Sequence, residues 1–251
     1  MNRSSTGVIL MREPRDRGLR EGHELRWGGA AGVGAVVFAL LGRLIMGGAP
    51  RITDSTGTIS SYLTGHRGQV LTAMVFYAIA TAMFVWFGSA LATGLRRADE
   101  TSDAPAVVLG GTALTAAIAF VAVGLLAGTV YAMTLHPGLM AGASGPYTAV
   151  TVMGTLAGIA VAVPLIASAI SIMHTNVFPM WMAGLAIVAA ALSILSALAI
   201  ATTRGAFTPG SALMYVPGVV TGLWVLAASG LLIREHLPAI PGRAPHAMGH
   251  A

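Results

Sequence analysis

Apolar stretches long enough to cross a bilayer recur six times along this chain, separated by short polar, glycine-bearing or proline-bearing connections. The clearest is Ala106 to Met133, 28 residues without a charged side chain or a proline. About 20 apolar residues span the hydrocarbon core, and a longer run crosses with tilt. Comparable runs cover residues 27–46, 69–91, 147–173, 180–199 and 211–233. The pattern predicts an all-α polytopic membrane protein: a six-helix transmembrane domain over 27–233, a polar tail over 1–26 and a flexible tail over 234–251.

The connections refine this picture. Asp54 or Ser55 can cap a short helix over 56–64 that places Ile59, Tyr62 and Leu63 on one face. The second span ends at Gly94, Arg96 and Arg97, and the 136–146 loop carries Pro137 and several small residues. His174 to Pro179 is a tight connection, Thr202 to Gly205 breaks the fifth span, and Pro209-Gly210 marks the next turn. Pro164 lies inside the fourth span, where it is expected to kink the helix because it has no amide hydrogen to donate. The first 26 residues read mainly as a disordered or peripheral tail, with 18–26 as an alternative extension of the first helix into the cytosol. Its long polar lead, and Arg43 inside its far end, favour a retained span over a cleaved signal peptide.

Composition agrees with a membrane solvent. Hydrophobic residues make up 55% of the 251 and charged residues only 9%, against roughly 25% charged in soluble domains. Glycine recurs at four-residue spacing in the pairs Gly28/Gly32, Gly124/Gly128 and Gly154/Gly158, which predicts close helix approach within the bundle. The short 136–146 loop makes the third and fourth spans antiparallel neighbours. Cysteine is absent, which removes disulfides, thiolate metal sites and cysteine nucleophiles. The net charge of +5 does not imply nucleic acid, since the arginines flank the spans and no recognition motif accompanies them.

The arginines also orient the bundle. Ten of the 14 (Arg3, Arg12, Arg15, Arg17, Arg20, Arg26, Arg96, Arg97, Arg234 and Arg243) fall on the side bearing both termini. Arg43, Arg51, Arg67 and Arg204 fall on the other. The positive-inside rule then predicts cytoplasmic N- and C-termini and a place in the cytoplasmic membrane.

Candidate chemistry is sparse. Asp and Glu are absent from all six span interiors, so no mid-membrane carboxylate relay is available. Arg43 is the charged exception. It reads as a residue snorkelling to the outer headgroups, or else as an anion-facing or pairing residue with Asp54 as the nearest acid in sequence. His66, His136 and Asp54 share the outer side and are the candidate metal ligands, although no close ligand spacing or HExxH arrangement supports them. His174 falls on the opposite side, and His236, His246 and His250 in or near the C-terminal tail. The span hydroxyls, Ser193 and Ser196 among them, are expected mostly to bond the carbonyl one turn back or a neighbouring helix. Met173, Met180 and Met182 read as core filling or lipid contact.

The Ala/Gly/Val-rich six-span layout, the charged N-terminal tail, a polar first outer loop bearing Tyr62 and the Arg96-Arg97 pair together resemble the uncharacterised integral membrane proteins of high-GC, actinobacterial-type bacteria. The resemblance covers most of 27–233 and implies location and architecture only. The leading functional expectation is a non-enzymatic accessory or scaffold protein without a cofactor. It meets the lipid bilayer and either another membrane protein or a second copy through Gly/Ala-rich helix faces. The alternatives are a small permease for a neutral or weakly charged solute, using the Pro164 kink, the in-span hydroxyls and a polar cavity bounded by Arg43, and a redox or metal-binding protein using His66 and His136.

Overall fold

A computed structural model describes residues 13–201 and 212–234. The early part of the N-terminal tail, the break at Thr202 to Gly205 with Arg204, the Pro209-Gly210 turn and the C-terminal tail with His236, His246 and His250 lie outside the described residues. The described residues form seven α-helices: α1 Glu13–Met46, α2 Thr56–Gly65, α3 Arg67–Ala98, α4 Ala104–Leu135, α5 Ser144–Thr175, α6 Met180–Leu198 and α7 Val216–Ile233. All but α2 are long and apolar enough to cross a membrane, which makes this a six-span helical bundle. No strand occurs among the described residues.

α1 begins at Glu13, well before the first span, so the segment 13–26 is helical and continuous with it. α2 forms where the sequence places it. Ser55 is its N-cap, accepting the Thr58 amide at 3.1 Å, and Ile59 and Leu63 are buried. Two tyrosines fasten the connection ahead of α2. The Tyr62 hydroxyl donates to the Met46 carbonyl, and the Tyr147 hydroxyl donates to the Pro50 carbonyl at 2.6 Å.

Between α5 and α6 the chain reverses on Asn176, whose φ of 50° is left-handed and whose amide closes onto the Ile172 carbonyl at 2.9 Å. Asparagine tolerates this conformation better than most residues, and Pro179 then starts α6. Before α4, Asp99 accepts from the Thr101 hydroxyl and amide, and these bonds hold its carboxyl below the usual range. α5 runs unbroken through Pro164, which packs against Gly111 of α4.

Packing order follows chain order and closes on itself: α1 against α3, then α4, α5, α6 and α7, which returns to α1. Small residues set the closest approaches. Gly28 lies on Ala90, Gly32 on Ser229 and Phe87, and Gly158 on the Ser193 carbonyl of α6. The buried apolar residues fall into two clusters. One joins α1, α3, α4, α5, α6 and α7 around Phe87, Ile172, Met182 and Trp224. The other joins α2, α3, α4 and α5 around Ile59, Leu63, Val70 and Val130. Among the described residues, α7 contributes nothing to the second cluster.

Candidate functional site

A cavity of about 930 Å³ occupies the region that the two cores leave open, bounded by α1, α3, α4 and α7. Its origin is steric. At the end carrying Leu25 and Ile233, α1 meets α7 through Gly29 and Gly32 against Ser229 and Ile233. Toward the other end the facing positions are small on every wall, including Ala35, Ala39, Ala80, Ala116, Ala119 and Gly218, and small side chains facing one another across four helices do not fill the space.

The floor is aromatic. Phe84 lines the cavity; Phe87 lies next to it at 6.2 Å between ring centroids and meets Trp224 edge to face at 6.4 Å. Trp224 is fixed in turn by its indole N–H, which donates to the Met182 carbonyl at 3.1 Å. On the side between α1 and α7 the cavity is open. Leu40, Leu44, Val219 and Leu223 all line it, yet remain 56%, 74%, 59% and 55% exposed.

The mouth is polar. Arg43 donates from Nη1 to the Gly47 carbonyl at 2.7 Å and places its guanidinium 5.0 Å from the centroid of the Tyr215 ring. Gly47 ends α1 with a φ of 59°, the left-handed conformation that glycine adopts without a Cβ penalty. The Tyr77 ring sits against Gly42, beside Arg43, and also lines the cavity. Three threonines complete the lining. Thr81 and Thr115 donate to the Tyr77 and Gly111 carbonyls one turn back, at 2.7 and 2.8 Å, whereas the buried Thr221 hydroxyl has no hydrogen-bond partner. The chemistry is therefore graded, with one guanidinium and two phenols at the mouth and apolar walls below.

The expected site residues are placed as follows. Arg43 does not pair with Asp54, which instead accepts the Arg51 amide at 2.8 Å; its guanidinium lies over Tyr215 at the cavity mouth. His66 links α2 to α3, with Nδ1 3.3 Å from the Tyr62 carbonyl and its ring stacked on Tyr62 at 4.9 Å. His136 caps the end of α4 and is exposed. The structure does not bring His66, His136 and Asp54 together: among the described residues, no three His, Cys, Asp or Glu side chains form a group able to hold a metal.

Most span hydroxyls bond a local carbonyl, as expected. Ser168 reaches the Pro164 carbonyl and Ser196 the Ser193 carbonyl, whereas the buried hydroxyls of Ser171 and Ser229 have no partner. The glycine pairs divide. Gly28, Gly32 and Gly158 make helix contacts, but Gly124, Gly128 and Gly154 meet nothing within 4 Å, so the packing expected of those three is absent from the bundle. Sequence reasoning missed Tyr77, Tyr215 and Thr221. The available signal was the presence of tyrosine in chain segments that reach the depth of Arg43, in a sequence with only 5 tyrosines.

No protein-family model, curated protein or solved structure matches this chain.

Proposed function

We propose that this integral membrane protein is a small permease or carrier that binds an amphiphilic solute inside its bundle. The observation that carries the reading is the 930 Å³ cavity, apolar along its walls and polar at the Arg43 mouth. That size is within the roughly 300–1,000 Å³ of small-molecule sites, which are likewise mostly apolar with a few placed polar groups. Phe84 lines the cavity and is backed by the packed Phe87–Trp224 pair, so its aromatic end is supported from behind. The arginine balance supports the cytoplasmic membrane as location, with the Arg43 end facing outward.

The native chain contains no cysteine, so single-cysteine labelling reports on one position without background. Ala39 lines the cavity one turn below Arg43, while Val37 on the same helix is exposed outside it. In membrane vesicles, a water-soluble methanethiosulfonate sulfonate should label Ala39→Cys readily and leave Val37→Cys nearly unlabelled. Equal, slow labelling of both would mean a lipid-filled seam and would return the weight to an accessory role.

A second reading, association with another membrane helix as an accessory protein or homo-oligomer, is favoured by the open face at Gly124 and Gly128. Cysteine cross-linking between copies at Gly124 tests it, and the absence of a dimer or a linked partner band would dismiss it.

A further inference from the structure

We infer that the occupant of the cavity is a long-chain carboxylate, its head group held at Arg43 and its chain lying along the apolar walls toward Phe84. This rests on the carrier reading above and specifies its solute class. Among the described residues Arg43 is the one cation lining the cavity, and no carboxylate lines it. Asp54, the nearest acid in sequence, is committed to the Arg51 amide. A guanidinium carries five N–H donors, and the protein satisfies Arg43 with one carbonyl and one ring face. The unused donors form a planar fork that matches a planar oxyanion bidentately, and a single cation balances a single negative charge.

The surroundings extend the argument from head to tail. The hydroxyl-bearing rings of Tyr77 and Tyr215 line the same end and offer further donors to an oxyanion. Below them the lining passes to Ala35, Val36, Ala80, Phe84, Ala116 and Val225, with nothing ionisable among these six. The Thr81 and Thr115 hydroxyls are already bonded to helix carbonyls, so they ask little of an occupant. A short hydrophilic anion would leave these walls empty, and a neutral chain would leave Arg43 unmatched. A single-chain carboxylate satisfies both ends. Its path of entry is the opening between α1 and α7, where Leu40, Leu44, Val219 and Leu223 face outward.

The test uses hexadecanoate and hexadecan-1-ol, which differ only in the head group, as protectants of Ala39→Cys against the same sulfonate reagent in the full-length reconstituted protein. Hexadecanoate should slow labelling about tenfold or more, the size expected of a charge-assisted pair, and the alcohol by less than about twofold. Adding Arg43→Gln should abolish the difference between the two, while Arg43→Lys, which keeps a cation, should retain a large part of it. Equal protection by acid and alcohol, or protection that survives Arg43→Gln, would overturn the carboxylate assignment. So would protection by hexadecanoyl lysophosphatidylglycerol without protection by hexadecanoate, in favour of a phosphate head. Labelling of Ala39→Cys that no amphiphile slows would likewise overturn it. Failure of Ala39→Cys to label at all would instead refute the carrier reading on which the inference rests.

Discussion

Gly154 and Gly158 stand four residues apart on α5 and are indistinguishable by spacing, yet their replacement by alanine should act in opposite directions. A Cβ at Gly158 would overlap the Ser193 carbonyl oxygen of α6 and come within 3.1 Å of the Ser196 hydroxyl and 3.2 Å of the Ser193 carbonyl carbon. The obstructing atoms are mainly backbone, so no flexible side chain can give way. α6 would have to retreat by about 1 Å to restore ordinary contact, and a gap of that size forfeits about a quarter to a half of each dispersion contact along the seam. That seam is tight: Ala183, Ala186, Ala189 and Ala190 of α6 are all buried. Overpacking of this kind costs about 1–3 kcal/mol, against which the helix propensity of alanine returns roughly 1 kcal/mol. At Gly154 nothing lies within 4 Å, so only the propensity gain remains, about 0.5–1 kcal/mol in favour of the variant. Unfolding of the reconstituted protein by steric trapping reads both changes in the bilayer. Gly158→Ala should be destabilised by up to about 2 kcal/mol net and Gly154→Ala stabilised. Shifts of the same sign and similar size would refute the assignment of the α5–α6 contact to Gly158.

Further outcomes follow from other contacts. Trp224→Phe removes the indole donor to the Met182 carbonyl and should cost about 1 kcal/mol in the same unfolding assay, with unchanged stability counting against the bond. Burial pushes the Tyr62 phenol above its ordinary value, while the positive charge of Arg43 works in the opposite direction. A raised folded-state pKa contributes stability that is complete below the unfolded value of 10.0 and lost as pH rises through the folded one. Wild-type melting temperature should therefore fall on the alkaline side of pH 10 more steeply than that of Tyr62→Phe, and parallel pH profiles would sink the idea. For topology, Ser144→Cys should label from outside intact cells and Ser102→Cys only after the inner face is opened; labelling of both from one side would overturn the orientation.

The spans were legible because a membrane imposes a length of apolar sequence that little else requires, and most helix limits fall within three residues of the predicted ones, α7 starting five residues later than the expected 211. α2 was legible through its cap and through Ile59 and Leu63, which share a face and are buried. The helical stretch from Glu13 was less so, since its polarity reads as a tail. Glycine spacing marked where helices can approach without saying which do: Gly28, Gly32 and Gly158 found partners, and Gly124, Gly128 and Gly154 did not. A cavity bounded by Arg43 was an expectation of the permease alternative, but it was expected to be polar, and its mostly apolar walls could not be read. It exists because small residues on α1, α3, α4 and α7 face one another, and that depends on neighbour order, which a single chain's hydropathy does not encode. For the same reason Arg43 stood out as a charge near a span end, while its partner Tyr215, far along the sequence, did not.

The central claim, that a solute occupies the space beneath Arg43, is met most directly by native mass spectrometry of the protein extracted gently from its own membrane, beside Ala39→Trp, which puts an indole into the cavity one turn below Arg43. The account predicts one bound amphiphile of defined mass on the wild-type chain and its loss from the variant. A bare chain, or the same spread of ordinary membrane lipids on both proteins, would contradict it.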